Sequence, residues 1–167
     1  KALNLAGEVM SRADRFYQEE WLHMMRTKLG LRDEQPGDEA LIRELLDWMK
    51  DVQADYTNTF LSLSRDSLPE STPCSDPKFR EWKQRWSRRR QEGSPETGFS
   101  DRLMQRNNPC VIPRNHKVEE ALAAANAGDL NPFNQMLQVL DDPYQENESS
   151  TPYQDSCKEP YQTFCGT

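Results

Sequence analysis

The stretch DEALIRELLDWMKDV, residues 38–52, decides the fold class of this chain. Its apolar residues recur every three or four positions, which places them on one face of an α-helix. Asp38 is predicted to cap this helix, and Glu39 suits the positive end of its dipole. The apolar residues are Leu41, Ile42, Leu45, Leu46, Met49 and Val52, with Trp48 at the edge of the stripe. The pattern indicates an amphipathic helix with one face on a core.

The same helical period recurs on the N-terminal side of this stretch. A first helix is predicted from about Leu3 to Leu29, and Gly30 should end it because glycine adopts the left-handed cap conformation at little cost. Because the helical pattern is already under way at Lys1, we expect the chain to be a piece of a longer protein. The expected inner face of the first helix comprises Leu5, Val9, Ala13, Phe16 or Tyr17, Trp21, Met24 and Met25.

Helical patterns also fill most of the chain after residue 52, and no segment alternates as a β-strand would. Ser100 is predicted to cap the short helix that it begins. In the helix that starts at Asp76-Pro77, the rings of Phe79, Trp82 and Trp86 should share one face. The last helix should direct Phe133, Met136, Leu137 and Leu140 inward. The expected helical segments are residues 55–63, Asp76 to Arg90, Ser100 to Met104, Asn115 to Ala127 and Asn131 to Leu140. The predicted fold class is therefore all-α, with six or seven helices and an irregular C-terminal tail.

Two regions are expected, a helical region over residues 1–142 and an extended tail over residues 143–167 that ends in Cys-Gly-Thr. Three prolines oppose regular structure in the tail. Aromatic residues nevertheless recur through it, which is unusual for a disordered segment. We interpret the tail as a strap that its aromatic side chains fix to the body. The prolines are Pro143, Pro152 and Pro160, and the aromatic residues are Tyr144, Tyr153, Tyr161 and Phe164.

Composition narrows the classes of function. Of the 167 residues, 35% are hydrophobic and 29% are charged, which is typical of a soluble globular domain. No apolar run is long enough to cross a membrane. The formal net charge of −7 argues against nucleic acid as a general partner. The cysteines are too few for a disulfide scaffold and lack zinc-ligand spacing, so a reducing cytosol is the expected compartment. They are Cys74, Cys110, Cys157 and Cys165.

The familiar catalytic patterns are missing from the sequence. It contains no glycine-rich phosphate loop and no nucleophile elbow. His23 and His116 are interpreted as surface or packing residues. The acidic pairs Glu19-Glu20 and Glu119-Glu120 are interpreted as solvated helix faces, since adjacent helical residues point about 100° apart.

One basic cluster interrupts the acidic background. It consists of Arg88, Arg89 and Arg90, with Lys83 and Arg85 nearby. Two interpretations remain open. The cluster contacts an anion or a phosphate, or it complements the carbonyl end of its helix and pairs with acidic side chains.

The strongest functional signal is a set of short segments in a fixed order along the chain. They are DYTNTF (55–60), NNPCVIPRNH (107–116), VEEAL (118–122), DDPY (141–144) and PYQTFCGT (160–167). In this order they resemble the C-terminal region of the selenoprotein O family, some members of which carry selenocysteine where Cys165 stands. The resemblance is tightest from about residue 107 to residue 167.

This resemblance implies that the chain is the C-terminal part of a protein-kinase-like (pseudokinase) protein that transfers AMP from ATP to Ser, Thr or Tyr of protein substrates. ATP and Mg²⁺ are implied for that parent. The family's nucleotide-binding motifs match no position here, so no catalytic, cofactor-binding or metal-binding residue is assigned, and the chain itself is expected to be non-catalytic. The implied compartment is the bacterial cytoplasm, or the mitochondrion if the source is eukaryotic.

The expected partner of the chain is the kinase-like lobe that precedes it in the parent. Trp21, Trp48, Trp82 and Trp86 are predicted to pack against that lobe. Arg114 is expected to pair across the interface, Asn115 or a neighbour to cap the next helix, and His116 to be structural.

The resemblance also makes Cys165 a redox candidate. Its disulfide partner would be a cysteine of the catalytic lobe or, alternatively, Cys157. Two other classes of function remain open. One is a stand-alone helical protein-interaction module with no link to nucleotidyl transfer. The other is a nucleic-acid module that uses the arginine run, which the net acidity disfavours.

Overall fold

The computed structural model describes residues 2–65, 76–92, 98–146 and 148–156, with side chains from residue 7 onward. Within these ranges the chain forms seven α-helices, one short 3₁₀ helix and no β-strand. The prediction of an all-α fold is confirmed. The α-helices are α1 (Ala2–Lys28), α2 (Asp38–Asp51), α3 (Tyr56–Ser64), α4 (Pro77–Glu92), α5 (Phe99–Asn107), α6 (Asn115–Asn126) and α7 (Asn131–Asp141), and the 3₁₀ helix is Glu148–Tyr153.

The larger of two hydrophobic cores lies where the C-terminal part of α1 meets α2, α3, α4 and α5. The rings of Phe79, Trp82 and Trp86 stack in series on α4, with neighbouring centroids 5.6 and 5.7 Å apart. Trp82 donates its Nε1–H to the carbonyl oxygen of Leu41 at 2.8 Å, and Trp86 donates to that of Leu29 at 2.9 Å. The rings therefore exclude water while their polar edges remain satisfied. Their predicted common face is confirmed.

The tryptophans are largely enclosed by the chain itself. Trp82 and Trp86 are 3% and 1% exposed. Trp21 and Trp48 are half-buried against the same core, and the Trp48 ring lies 4.2 Å from that of Phe79. The expectation that these residues pack against another lobe is therefore wrong for Trp82 and Trp86, because the chain's own core already covers them.

The first helix ends at Lys28, and Gly30 forms its left-handed cap, as predicted. Gly30 has φ of +70°, and the amide of Leu31 donates to the carbonyl oxygen of Arg26 at 2.9 Å, which is the Schellman arrangement. A Cβ at Gly30 would lie 3.0 Å from both the Met104 side chain and the Ser100 carbonyl oxygen. Glycine is thus needed both for the turn and for the close approach of α1 to α5.

Two helices start at a glycine rather than at the predicted cap. Gly37, with φ of 100°, is the N-cap of α2, and Gly98, with φ of 80°, is the N-cap of α5. Asp38 and Ser100 lie inside the first turns of these helices, so their predicted roles as caps are wrong. Asp38 instead accepts a hydrogen bond from the Gln35 amide at 3.0 Å and is buried. Glycine adopts the observed left-handed conformation without the steric cost that a side chain adds.

A smaller core joins α3 to α7 and to the tail. It consists of Leu61, Cys110, Val111 and Val139, with Leu140 and Tyr153 packed against it. Helix α3 contributes to both cores, since Phe60 and Leu63 belong to the larger one. In α7, Met136 is buried as predicted, but Leu137 is 46% exposed and Val139 is buried instead. The predicted inward orientation of Leu137 is therefore wrong.

The described part of the tail contains regular structure that its prolines were predicted to prevent. Pro152 lies inside the 3₁₀ helix Glu148–Tyr153. The missing amide of a proline costs little in so short a helix, where few backbone donors have intrahelical partners. Tyr153 packs on the smaller core, as the strap interpretation predicts, while Tyr144 is 48% exposed. Tyr161 and Phe164 lie outside the described residues.

Candidate functional site

A polar joint connects the start of α3, the segment before α6 and the tail. The Asp55 carboxylate accepts a hydrogen bond from the Asn58 amide at 2.8 Å and so caps α3. It also accepts from both terminal nitrogens of Arg114, at 2.7 and 3.1 Å. Arg114 donates in addition to Asn58 Oδ1 at 3.1 Å, and Asn58 Nδ2 donates to the Gln154 carbonyl oxygen at 2.9 Å. We call these four residues the polar joint.

The electrostatics of the polar joint favour the ionised carboxylate. The side chains of Arg114 and Asp55 are only 10% and 24% exposed. Burial alone would raise the pKa of the Asp55 carboxyl, but the hydrogen bonds from Arg114 and Asn58 and the charge of Arg114 outweigh it, so the pKa lies below its usual value. The joint is therefore a charged structural link at neutral pH.

We expect the replacement Asp55→Asn to destabilise the chain by about 2 kcal/mol at pH 7, because it removes a charge-assisted pair and weakens a cap. A lowered folded-state pKa contributes stability that is present above the unfolded pKa of about 4 and is lost as pH falls through the folded value. The difference in unfolding free energy between the unsubstituted chain and the variant should therefore shrink below about pH 4. Denaturant unfolding between pH 7 and pH 3 measures this difference. The exposed Asp51→Asn serves as a control, and a constant difference across the range would contradict the assignment.

Arg114 was expected to pair across the interface with the kinase-like lobe, but the structure shows it paired within the chain. It lies within the chain's own polar joint, because both of its terminal nitrogens donate to Asp55 and one of them also donates to Asn58. Arg114 is also the N-cap residue of α6, without a side-chain hydrogen bond to the helix, and Asn115 is the first helical residue. The predicted cap is therefore wrong for Asn115, while its neighbour Arg114 occupies the N-cap position. His116 is half-buried.

Three arginines of α4 pair with acidic side chains. Arg89 Nε donates to Asp38 Oδ1 at 2.7 Å, and the two side chains are 10% and 2% exposed. Arg90 pairs with Asp101, and Arg85 pairs with Glu44. The ion-pairing interpretation of this basic cluster is confirmed for Arg85, Arg89 and Arg90.

Helix α1 leaves a long apolar stripe exposed. Every described side chain from residue 8 to residue 20 is exposed, and α1 turns towards the core only from Trp21 onward. The predicted inner face is therefore wrong for most of its members, since no described element covers the first turns. Met25, at 1% exposed, is buried as predicted. We define the α1 stripe as Val9, Met10, Ala13, Phe16, Tyr17 and Met24; its five large members are 42–65% exposed.

The groups that sequence analysis considered for chemistry are only partly within the described ranges. Cys165 and Cys157 lie outside them, as does Cys74. Cys110 is buried in the smaller core; burial raises the pKa of its thiol, and a hydrogen bond with Arg65 offsets part of the effect. His23 and the pairs Glu19-Glu20 and Glu119-Glu120 are exposed. Across the described residues, no cluster of three His, Cys, Asp or Glu side chains could hold a metal ion.

Over the described residues, the fold and these contacts comprise helices around two hydrophobic cores, a charged joint at the start of α3 and an exposed apolar stripe on α1. Among the described helices, none combines the length and the apolar character needed to span a membrane. A family model described as protein adenylyltransferase SelO matches residues 3–141. The chain belongs to this SelO family.

Similar proteins match 90–100% of the chain and extend well beyond it. The protein nucleotidyltransferase YdiU of Pelagibacter ubique is 44% identical over 173 residues, which cover 100% of this chain and 35% of that relative. The protein of the same name from Brevibacillus brevis is 42% identical over 172 residues, again covering 100% and 35%. That of Alcanivorax borkumensis is 43% identical over 155 residues, covering 90% and 32%. The chain thus spans about a third of the length of the curated relatives it matches.

The structure brings together two of the segments that carried the family resemblance. Asp55 and Asn58 come from residues 55–60, and Arg114 comes from residues 107–116. Sequence reasoning treated these segments separately and missed their contact, and it also missed the pair of Asp38 and Arg89. Opposite charges within two family-typical segments were the available signal, but spacing along a helical chain does not show which helices meet.

Proposed function

We propose that this chain forms the non-catalytic C-terminal helical region of a protein adenylyltransferase. The observation that carries the proposal is the match of the SelO family model to residues 3–141. In this account residues 1–142 form the helical region and residues 143–167 the tail. The parent transfers AMP from ATP to Ser, Thr or Tyr hydroxyls of protein substrates.

In AMP transfer, the substrate hydroxyl loses its proton and attacks the α-phosphorus of ATP, and the bond to pyrophosphate breaks. Mg²⁺, when bound, neutralises charge on the phosphates. The residues described here do not fit that role, since they provide no cluster of metal ligands and the sequence has no glycine-rich phosphate loop. The proposal therefore assigns ATP and Mg²⁺ to the remainder of the parent, for which we propose a protein-kinase-like fold.

The α1 stripe is the surface that we assign to contact with the kinase-like lobe. Val9 and Met24 are fifteen residues apart, so the stripe extends about 22 Å along the helix. Met25 faces the larger core, and it lies about 100° around the helix from Met24. Helix α1 thus has two distinct apolar faces, and the described residues cover only one of them.

The residues beside the stripe indicate the chemistry of its partner. Arg12, Arg15 and Glu19 line the same groove as Val9, Ala13 and Phe16, so the rim carries charges of both signs. An apolar surface with both basic and acidic groups at its rim would complement this arrangement, because burial of the stripe drives association while the rim charges fix orientation. A long surface helix without a packing partner is also marginally stable by itself.

Two alternatives receive less support. A stand-alone interaction module would account for the exposed stripe, but the family match and the nucleotidyltransferase relatives favour a transferase parent. A reading frame upstream of Lys1 without a kinase-like region would reverse that preference.

A nucleic-acid module would need the arginines of α4, and Arg85, Arg89 and Arg90 are already paired with carboxylates.

We also retain Cys165 as a proposed redox residue, with Cys157 or a cysteine of the catalytic lobe as its alternative partner. The support is the position of Cys165, third from the end of the chain, which matches selenocysteine in some family members. Disulfide mapping by mass spectrometry of the oxidised full-length protein tests this proposal. A free Cys165 thiol after mild oxidation would count against it.

The position of the label distinguishes AMP transfer from phosphoryl transfer. The full-length protein should label a protein substrate from ATP that is radioactive at the α-phosphate, but not from ATP that is radioactive at the γ-phosphate. The 167-residue chain alone should transfer neither label. Transfer of the γ-label by the full-length protein, or transfer of either label by the chain alone, would refute the proposed function.

A further inference from the structure

We infer that part of the tail, residues 143–146 and 148–154, forms a latch that opens independently of the larger core. Asn58 holds this latch closed. From here on, the word strap refers to these residues alone. The inference concerns a conformational device and does not rest on AMP transfer. It follows from how the two ends of the strap are attached to the body.

The near end of the strap is attached through Cys110. The Cys110 amide donates to the Pro143 carbonyl oxygen at 2.7 Å, and its Sγ lies 3.4 Å from the Tyr144 carbonyl oxygen. Glu146 adds a pair with Arg65 at 2.8 Å, in which the side chains are 53% and 30% exposed. An ion pair this exposed contributes little. Cys110 therefore provides the main attachment at this end, and its thiol lies against the backbone of the strap at Tyr144.

The far end is attached through the polar joint. Asn58 Nδ2 donates to the Gln154 carbonyl oxygen at 2.9 Å, Ser150 is fully buried, and Tyr153 packs on the smaller core. The Asn58 side-chain amide cannot flip without losing a hydrogen bond, because its Oδ1 accepts from Arg114. Its donor is thereby directed at the strap, and the ion pair of Asp55 and Arg114 keeps it there.

The strap has little structure of its own to resist opening. Its 3₁₀ helix has six residues and includes Pro152. Outside that 3₁₀ helix, the described backbone hydrogen bonds between residues of this segment and its neighbours in sequence are those from Gln145 to Asp142 and from Gln154 to Thr151. Gln154 Nε2 is buried and, among the described residues, has no hydrogen-bond partner, which weakens the closed state. Segments with few hydrogen bonds and few buried contacts open before the global core does.

Opening of the strap should expose the Cys110 thiol, so labelling of Cys110 reports on the latch. We expect Asn58→Asp to raise the rate of Cys110 modification by N-ethylmaleimide about tenfold in the full-length protein. The aspartate keeps the size of the side chain and an acceptor for Arg114, but it places an oxygen against the Gln154 carbonyl oxygen. Peptide mass spectrometry resolves Cys110 from the other cysteines.

Asn134→Asp is the matched control, because it makes the same change at an exposed position of α7, and it should leave the labelling rate unchanged. Hydrogen exchange of residues 150–154 should accelerate with the labelling in Asn58→Asp, while α2 and α4 keep their protection. As a milder variant, Glu146→Gln should accelerate exchange of the strap about twofold. Unchanged labelling in Asn58→Asp, or equal acceleration of exchange in the strap and in α2 and α4, would overturn the inference.

Discussion

Arg89→Ala is expected to destabilise the chain by about 3–5 kcal/mol, because it leaves the buried Asp38 carboxylate without its countercharge. Arg89 also donates to the Asp33 carbonyl oxygen at 2.6 Å, so the variant loses a link to the loop between α1 and α2 as well. The loss is comparable with the whole stability of a marginal domain, typically about 5–15 kcal/mol. Denaturant unfolding of the isolated chain, followed by tryptophan fluorescence, measures it.

Arg43→Ala provides the matched control for this prediction. Arg43 pairs with Glu39 one turn away on α2, and both side chains are 55% exposed. A pair of this kind contributes about 0.3–0.5 kcal/mol. The double variant Asp38→Ala/Arg89→Ala should cost less than the sum of its single changes, because neither charge is then left alone. Equal losses in Arg89→Ala and Arg43→Ala would show that the buried pair does not hold α4 to α2.

Phe16→Ser should have little effect on the stability of the isolated chain and a large effect on that of the full-length protein. In the isolated chain Phe16 is 65% exposed, so the change should alter stability by no more than about 0.5 kcal/mol. In the full-length protein the ring is proposed to be buried against the kinase-like lobe, and its loss should cost about 3–5 kcal/mol. Unfolding is followed by circular dichroism for the variant and for the unsubstituted sequence, both in the isolated chain and in the full-length protein.

A second variant separates a docking surface from a general effect on α1. Gln18→Ser lies on the opposite side of the helix from the α1 stripe and is also exposed. It should change stability by no more than about 0.5 kcal/mol in either setting. If Phe16→Ser were equally harmless in the full-length protein, the stripe would not be the contact with the lobe.

Local sequence patterns were sufficient for the helices and for part of the core. The spacing of Leu41, Ile42, Leu45 and Met49 in α2 predicted a buried face, and all four are buried. The aromatic face of α4 and the end of α1 at Gly30 followed from similar local rules. These features depend on residues within one or two turns of each other, so the order of residues determines them.

Features that depend on distant residues were not predicted. Asp38 was predicted to be a cap because it precedes an apolar stripe. The Asp38 carboxylate instead forms an ion pair with Arg89, which is 51 residues away in the sequence. The periodicity of α1 showed an apolar face without showing which elements cover it. For the same reason the contact of Asp55 with Arg114 could not be inferred, since it depends on how α3 and the start of α6 pack.

The most direct test of the account is to remove this region from its parent. We predict that a parent protein ending just before Lys1 has a lower melting temperature and a slower rate of AMP transfer from α-labelled ATP than the full-length protein. The helical region is proposed to cover an apolar surface of the kinase-like lobe, and its removal would expose that surface. A truncated parent with unchanged melting temperature and unchanged AMP transfer would contradict the account.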